Sequence, residues 1–238
     1  KDAPYQAEVD AIFAERGILP VNTLVVSDPP LHSFHRSLVD KVFTPSRVKK
    51  MESYIRSVVD DLVDEVIGRG EIEFCQELAV KIPTYIIADQ LGMPRADYAT
   101  FKRWSDAVIR ENDPGNTKEQ QFVITRTICE LQRYILDRAG EYREAPADNM
   151  LSDLVRARDN GGRALSDREI ASMVLQILVA GNDTTTSAMS SAMHLLATTP
   201  GLEERLRGNP EAIGQFVEEV LRFCAPIQGL WRRVTRDT

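Results

Sequence analysis

One long helical pattern dominates the second half of this 238-residue sequence, and it continues through a segment that helices normally avoid. Apolar residues recur three and four positions apart on both sides of residues 180–186, which read Ala-Gly-Asn-Asp-Thr-Thr-Thr. Relative to alanine, this segment costs a helix roughly 4 kcal/mol of intrinsic stability. Its residues are therefore candidates for function. Gly181 would let a bulky group approach the backbone, and Asp183 beside Thr184 would place a proton acceptor next to a donor at a locally loosened turn.

The same segment also has a purely structural interpretation. Serine and threonine hydroxyls in buried helices often bond to the carbonyl one turn earlier and bend the helix slightly. The pattern of residues 180–186 does not decide between the two interpretations, whereas two further segments favour the functional one.

The first of these segments starts with Asp-Pro-Pro at residues 28–30, which is typical of a helix beginning. His32 and Arg36 follow at a spacing of four, so they lie on one helix face and could grip a carboxylate together. His35 and Arg36 could instead be solvated. His32 with His35 could indicate a metal pair, but no carboxylate or cysteine stands at ligand spacing.

The second segment holds Glu219 and Arg222, three residues apart on an amphipathic helix pattern. Alone, such a pair contributes only a few tenths of a kcal/mol and is common on helix surfaces. Here it lies some forty residues after the central motif and leads into Pro226 and a predicted strand at 231–235.

Taken in this order, the three segments resemble the cytochrome P-450 family of heme-thiolate monooxygenases. The family's central-helix motif, (Ala/Gly)-Gly-x-(Asp/Glu)-Thr, is matched at all four specified positions by residues 180–184, and Glu219 with Arg222 matches its Glu-x-x-Arg pair. The resemblance implies a mainly α fold of P-450 type, with a long central helix and small β elements. It covers residues 1–238 as a single domain, an internal portion of the catalytic domain.

The resemblance also implies a heme b site. Ala180 and Gly181 would lie against the porphyrin, and His32, Arg36 and Arg232 would bind its propionates, with the arginine after Arg232 as the alternative. The iron-ligating cysteine is expected outside the given sequence, in a glycine-rich loop of the family.

The catalytic pair implied by the resemblance is Asp183 and Thr184, which would deliver protons to dioxygen. Glu219 and Arg222 would form a structural ion pair. None of the three cysteines is expected to bind iron, because none has glycine neighbours and each lies among apolar or helical residues; they are Cys75, Cys129 and Cys224.

The implied activity is the oxidation of a small apolar organic substrate with dioxygen and with electrons from a ferredoxin or flavodoxin type carrier. Residues 31–50 carry five positive side chains against Asp40 alone, which would attract an acidic carrier. An ordinary solvated face is the alternative for this segment, whose positive residues are Arg36, Lys41, Arg47, Lys49 and Lys50.

A rival interpretation comes from Asp60, Asp61 and Asp64, which spell the magnesium and diphosphate motif of all-α isoprenoid synthases. The apolar stripe of the same helix leaves these carboxylates on its solvated face, which weakens this interpretation. A noncatalytic helical module is a third possibility.

Composition narrows the class of protein further. The net charge of −7 argues against nucleic acid as a partner. The sequence has no run of eighteen apolar residues, so no membrane-spanning helix is expected. Three cysteines without an even framework indicate a reducing compartment, and a cytoplasmic location is expected.

Periodicity and turn residues predict an almost wholly helical chain. The predicted helices cover residues 31–43, 45–67, 75–91, 95–111, 117–143, 149–159, 166–198, 201–207 and 211–224. Short strands are predicted at 72–74 and 231–235.

Overall fold

Ten α-helices make up most of the computed structural model, which describes residues 5–111, 113–229 and 234. They are α1 (Gln6–Arg16), α2 (Leu31–Val42), α3 (Pro45–Val66), α4 (Lys81–Gln90), α5 (Tyr98–Arg110), α6 (Lys118–Glu144), α7 (Met150–Arg156), α8 (Asp167–Thr198), α9 (Leu202–Gly208) and α10 (Ile213–Phe223). The connections include 3₁₀ turns at Leu24–Val26, Ile67–Arg69, Arg95–Asp97 and Pro210–Ala212, and a π-type turn at Cys75–Ala79.

The predicted helix starts are confirmed where the sequence supplies a cap. The Thr44 hydroxyl accepts a hydrogen bond from the backbone N–H of Arg47, and Pro45 occupies the first position of α3. At the start of α8, Ser166 and Glu169 form the reciprocal capping box that their spacing predicts. The mainly α fold and the long central helix are therefore present as predicted.

Helix α1 is absent from the sequence prediction. It has no side-chain cap at its start, and only three of its eleven residues are buried, namely Val9, Ile12 and Phe13. Tertiary packing against α6 stabilises it, and this contact is not visible in the sequence.

The strand predicted at 72–74 is wrong. The Glu73 carboxylate accepts hydrogen bonds from the backbone N–H groups of Cys75 and Gln76, so these residues begin a helical turn instead. No strand occurs anywhere in residues 5–111 and 113–229. The second predicted strand, 231–235, lies outside the described residues apart from Val234.

The first half of α8 forms the centre of the hydrophobic core. Ile170, Met173, Val174 and Leu178 are each at most 1% exposed, and the helix contacts α4, α5 and α6. The second half of α8 contacts the π-type turn through Thr186 and Ser190, and the helix also contacts α10. The helix thus changes from a fully surrounded element to a partly open one along its length.

Candidate functional site

The open face of α8 begins at the predicted motif. Val179, Ala180 and Asp183 are exposed, and Thr184 is half-buried, immediately after the buried Leu178. All of residues 180–186 have regular α-helical geometry. The loosened turn expected here is therefore absent, because the packing on either side of the motif keeps the helix regular.

Thr184 forms the bond expected from the structural interpretation. Its hydroxyl donates to the carbonyl oxygen of Ala180, one turn earlier, at 2.5 Å. The oxygen keeps its lone pairs available as acceptors on a half-buried side chain next to the exposed Asp183. The two predicted catalytic residues are thus adjacent on the open face, where solvent reaches the carboxylate.

Gly181 has a packing role that the sequence does not reveal. A Cβ atom added at this position would lie 3.1 Å from Cδ1 of Ile87 in α4, which is closer than most such contacts. The missing side chain therefore allows α4 to approach α8. The predicted contact between Gly181 and a porphyrin stays a prediction.

Asn182, the unspecified position of the motif, is the residue that the sequence prediction misses. Its side chain is 4% exposed, and its amide donates to Ser105 Oγ of α5 at 2.7 Å. Its carbonyl oxygen lies 3.3 Å from Thr84 Oγ1 of α4, which can donate to it. One amide thus connects three helices directly behind the open face. A signal was available, because Asn182 continues the buried stripe at a spacing of four from Leu178.

Thr186 also acts structurally. The π-type turn leaves the carbonyl of Ala79 free to accept, and the Thr186 hydroxyl donates to it at 3.0 Å. Cys75 Sγ in the same turn lies 3.3 Å from Ser190 Oγ. Contacts with α4, α5 and the π-type turn therefore explain three of the seven residues 180–186, namely Gly181, Asn182 and Thr186.

The predicted propionate ligands occupy one face of α2. His32 is half-buried, while Arg36 is exposed and forms an ion pair with Asp40 at 2.8 Å. Within the described part of the chain, no hydrogen bond or ion pair links His32 or Arg36 to the motif of α8. Arg232, the third predicted ligand, lies outside the described residues.

His35 is buried, so the alternative that it is solvated is excluded. Its Nε2 atom lies 3.0 Å from Glu169 Oε1, at the start of α8. Arg163 donates to the same carboxylate at 2.9 Å, and its guanidinium lies 3.7 Å above the ring of Phe34. These contacts fix α2 against the beginning of the central helix.

The charge of Glu169 is stabilised by its partners. Burial raises the pKa of Glu169. Hydrogen bonds from Ser166 and His35 and the charge of Arg163 lower it by more than burial raises it, so the pKa lies below the usual value. Glu169 is therefore an ionised link between α2, α8 and the segment before α8.

Glu219 and Arg222 are bonded through two contacts, at 2.6 and 2.8 Å, on α10. The hydrogen bond from Arg222 lowers the pKa of Glu219. Both side chains are exposed in the described structure. The pairing expected from the spacing is therefore formed, and its structural role stays a prediction.

Comparisons with known proteins bear on these features together. The sequence model of the family described as "Cytochrome P-450" matches residues 116–238. YjiB of Bacillus subtilis strain 168, named as a cytochrome P-450, is 37% identical over 220 residues, which are 91% of this chain and 55% of the relative. The vitamin D(3) 25-hydroxylase of Pseudonocardia autotrophica is 30% identical over 94% of this chain and 54% of the relative.

Solved structures agree with the sequence relatives. The cytochrome P-450 CREJ, in complex with (4-ethylphenyl) dihydrogen phosphate, matches with a TM-score of 0.82 at 30% identity, over 94% of this chain and 55% of that one. A Bacillus megaterium cytochrome P-450 in complex with corticosterone matches with a TM-score of 0.79 at 33% identity, over 92% of this chain and 60% of that one. The chain belongs to the cytochrome P-450 family. It spans about half the length of the curated relatives it matches.

The cytochrome P-450 family implies a heme-thiolate cofactor, and the described residues fit a heme. A porphyrin is a flat apolar ring with anionic propionates. The part of α8 from Val179 onwards and the neighbouring α10 leave apolar side chains exposed, namely Val179, Met193, Val217 and Leu221. Arg36 has only an exposed ion pair to give up, and such pairs are weak, so it can bind a propionate instead.

The isoprenoid synthase interpretation is wrong for this P-450 chain. Asp60, Asp61 and Asp64 are exposed on α3, and Asp61 lies 3.5 Å from Arg95 in an ion pair. Among the residues that the structure describes, no group of three histidine, cysteine or acidic side chains could hold a metal ion. His35, which the sequence paired with His32 as a possible metal site, has its Nε2 atom bonded to Glu169 instead.

None of the helices in the described ranges combines the length and the apolar character that crossing a bilayer requires.

Proposed function

We propose that the protein is a heme-dependent monooxygenase that oxidises a small apolar organic substrate. The observation that carries this proposal is the position of the P-450 motif, which lies where α8 changes from a buried to an open helix. When bound through a cysteine thiolate, heme supplies the electron-driven activation of dioxygen. Residues 1–238 belong to one domain in this proposal, because the larger of two buried clusters extends from Val9 to Leu178 and Tyr85 packs against both clusters.

The heme would lie against Ala180 and Gly181 and be bound at its propionates by His32, Arg36 and Arg232. Ala180 is exposed and small, so a flat ring can approach the helix there. Gly181 would keep the helix narrow at this point, because it has no side chain and Ile87 of α4 lies where its Cβ atom would point. Glu219 and Arg222 would stabilise α10 beside the same face of α8.

Asp183 and Thr184 would move protons. The exposed Asp183 carboxylate is in contact with solvent, and the neighbouring Thr184 Oγ1 can accept a hydrogen bond while its own hydroxyl hydrogen is donated to the carbonyl of Ala180. Rotation about the Cβ–Oγ1 bond turns that proton towards the open face. The pair would therefore provide a proton route from water to dioxygen at the motif.

The test uses two threonines of the same helix that make the same bond. Thr198 donates to the carbonyl of His194 at 2.7 Å, just as Thr184 does to Ala180. In the full-length protein, Thr184→Ala should divert consumed reductant into hydrogen peroxide, and Thr198→Ala should not. Asp183→Asn should slow reductant consumption. Equal peroxide release from both threonine variants would contradict the proposed role of Thr184.

The electron carrier would be an acidic ferredoxin or flavodoxin that docks on residues 31–50. In the described structure, three of the five positive side chains in this segment have partners. Arg36 bonds to Asp40, Lys41 donates to the carbonyl of Arg158, and Arg47 contacts Asp153. Lys49 and Lys50 are exposed and form no ion pair with any described residue. These two lysines are therefore the best candidates for a docking charge.

Charge reversal tests the carrier. Replacing Lys49 and Lys50 with glutamate should slow reduction by an acidic carrier at low ionic strength and have less effect at high ionic strength. An unchanged rate at low ionic strength would contradict this docking surface.

A reducing, cytoplasmic location fits the three cysteines, which are all free.

A further inference from the structure

An open-sided cavity lies beside α8, one turn before the motif. It is a cavity of about 1170 Å³ between α1, the connection from α5 to α6, and the first half of α8. Its wall includes apolar side chains from each of these elements, among them Val9, Phe13, Pro114 and Leu175. A small organic molecule fits a space of this size and character.

Charged side chains also line this cavity. Three are acidic and two are basic, so the wall carries a net charge of −1, and one of the bases is neutralised by Glu8, which lies outside the wall. Four of the five have a polar partner: Lys118 bonds to Glu8, Asp10 to Gln6, Asp113 to the backbone N–H of Gly115, and Arg168 to the carbonyl of Leu19.

Glu111 is the exception. Its carboxylate forms no hydrogen bond and no ion pair with any residue in the described ranges, although it lies in the wall of the cavity. Burial raises the pKa of Glu111, and no described group offsets this effect. Glu111 is only partly exposed, so its charge loses part of its hydration without gaining a partner among the described residues, and a cationic ligand in the cavity would offset that loss.

We propose that this cavity binds an apolar organic molecule that carries an ammonium group, with Glu111 as its counter-charge. The apolar wall would hold the hydrocarbon part, and the Glu111 carboxylate would hold the cation at the α5–α6 connection. The inference rests on the proposed function in taking this molecule as the substrate, and it narrows the substrate class from apolar compounds to apolar amines or quaternary ammonium compounds.

A pair of isosteric probes tests the role of charge. Trimethylphenylammonium and tert-butylbenzene have the same shape and differ only in the charged nitrogen, and the quaternary nitrogen has no lone pair with which to bind iron. In the full-length, heme-loaded protein, titration calorimetry should show the ammonium probe binding about tenfold more tightly. Glu111→Gln should abolish that preference and leave the affinity for tert-butylbenzene within about twofold.

Asp10→Asn is the matched control, because Asp10 lies in the same wall but already has a partner in Gln6, which the asparagine oxygen can keep. It should retain most of the preference for the ammonium probe. Equal affinities for the two probes in the unaltered protein would overturn the proposal, as would an equal loss in Glu111→Gln and Asp10→Asn.

If Glu111→Gln fails to load heme, the pH dependence of probe binding to the unaltered protein provides the test. The affinity of the unaltered protein for the ammonium probe should rise with pH as Glu111 ionises, while its affinity for tert-butylbenzene stays constant. A flat profile for both probes would overturn the proposal. The titration requires no turnover. A protein that prefers the cation but oxidises nothing would therefore contradict the proposed function and leave the binding site supported.

Discussion

Asn182 offers the sharpest test of how the central helix is held, because one buried amide connects α4, α5 and α8. In Asn182→Ala, the Ser105 hydroxyl, which is fully buried, loses its 2.7 Å partner. An unsatisfied buried group of this kind costs about 1–3 kcal/mol. Thr84 loses less, because its hydroxyl is also directed at the carbonyl of Val80 at 2.6 Å. With the space left by the missing amide, the expected loss of stability is about 3 kcal/mol.

A double-mutant cycle separates the hydrogen bond from the lost volume. Ser105→Ala alone and Asn182→Ala alone each remove the same bond, so the double variant should be less destabilised than the sum of the two by about 1 kcal/mol. Urea unfolding of the full-length protein, followed by tryptophan fluorescence, measures these differences. Trp104 lies next to Ser105 in α5 and reports on this contact.

The exposed Asn160 supplies the control, and Asn160→Ala should change the unfolding free energy by less than about 0.5 kcal/mol. Additivity of the two single variants within about 0.3 kcal/mol would refute the argument, because it would mean that Asn182 and Ser105 do not share a bond that stabilises the fold.

Two further predictions concern titratable groups. The pKa of Glu169 is lowered in the fold, so its contacts stabilise the protein above the usual carboxyl pKa, and this stabilisation is lost as pH falls through the folded pKa. Glu169→Gln should therefore lower the melting temperature at neutral pH and flatten its decline between about pH 5 and pH 3, and an unchanged pH profile would contradict the link to His35 and Arg163. Burial raises the pKa of the Cys129 thiol to about 11, so only about one thiol in a thousand is ionised at pH 8. Peptide mapping after treatment with a thiol reagent should find the half-buried Cys75 and Cys224 labelled well before Cys129, and equal labelling rates would show that Cys129 is not buried as described.

The sequence predicts most of the helical framework because local signals encode it. The capping box of Ser166 and Glu169 and the apolar spacing after it predict α8 from within one segment. Thr44 and Pro45 do the same for α3. Helix α1 has no such signal, since contacts with the distant α6 stabilise it.

The site is predicted less completely because its residues serve two purposes. The sequence shows that residues 180–186 are unusual for a helix. It does not show which of them would face the heme and which of them contact neighbouring helices. The structure shows Gly181 facing Ile87, Asn182 facing Ser105, and Asp183 and Thr184 on the open face. Likewise, the sequence of α2 offers His32, His35 and Arg36 as polar candidates, but it does not reveal that His35 bonds to Glu169, which stands 134 residues away in the chain.

The central claim is that the open face of α8 and the basic face of α2 hold a heme whose iron is bound by a thiolate. Arg36 and Arg56 are matched for testing it, since both are exposed and each pairs with an acidic residue one turn away. The most direct measurement is the absorption spectrum of the reduced, carbon monoxide-bound full-length protein. We predict a strongly red-shifted Soret band, weakened by loss of heme in Arg36→Gln and unchanged in Arg56→Gln. A protein that binds no heme, or whose Soret band lies where heme bound by a neutral ligand absorbs, would contradict the account.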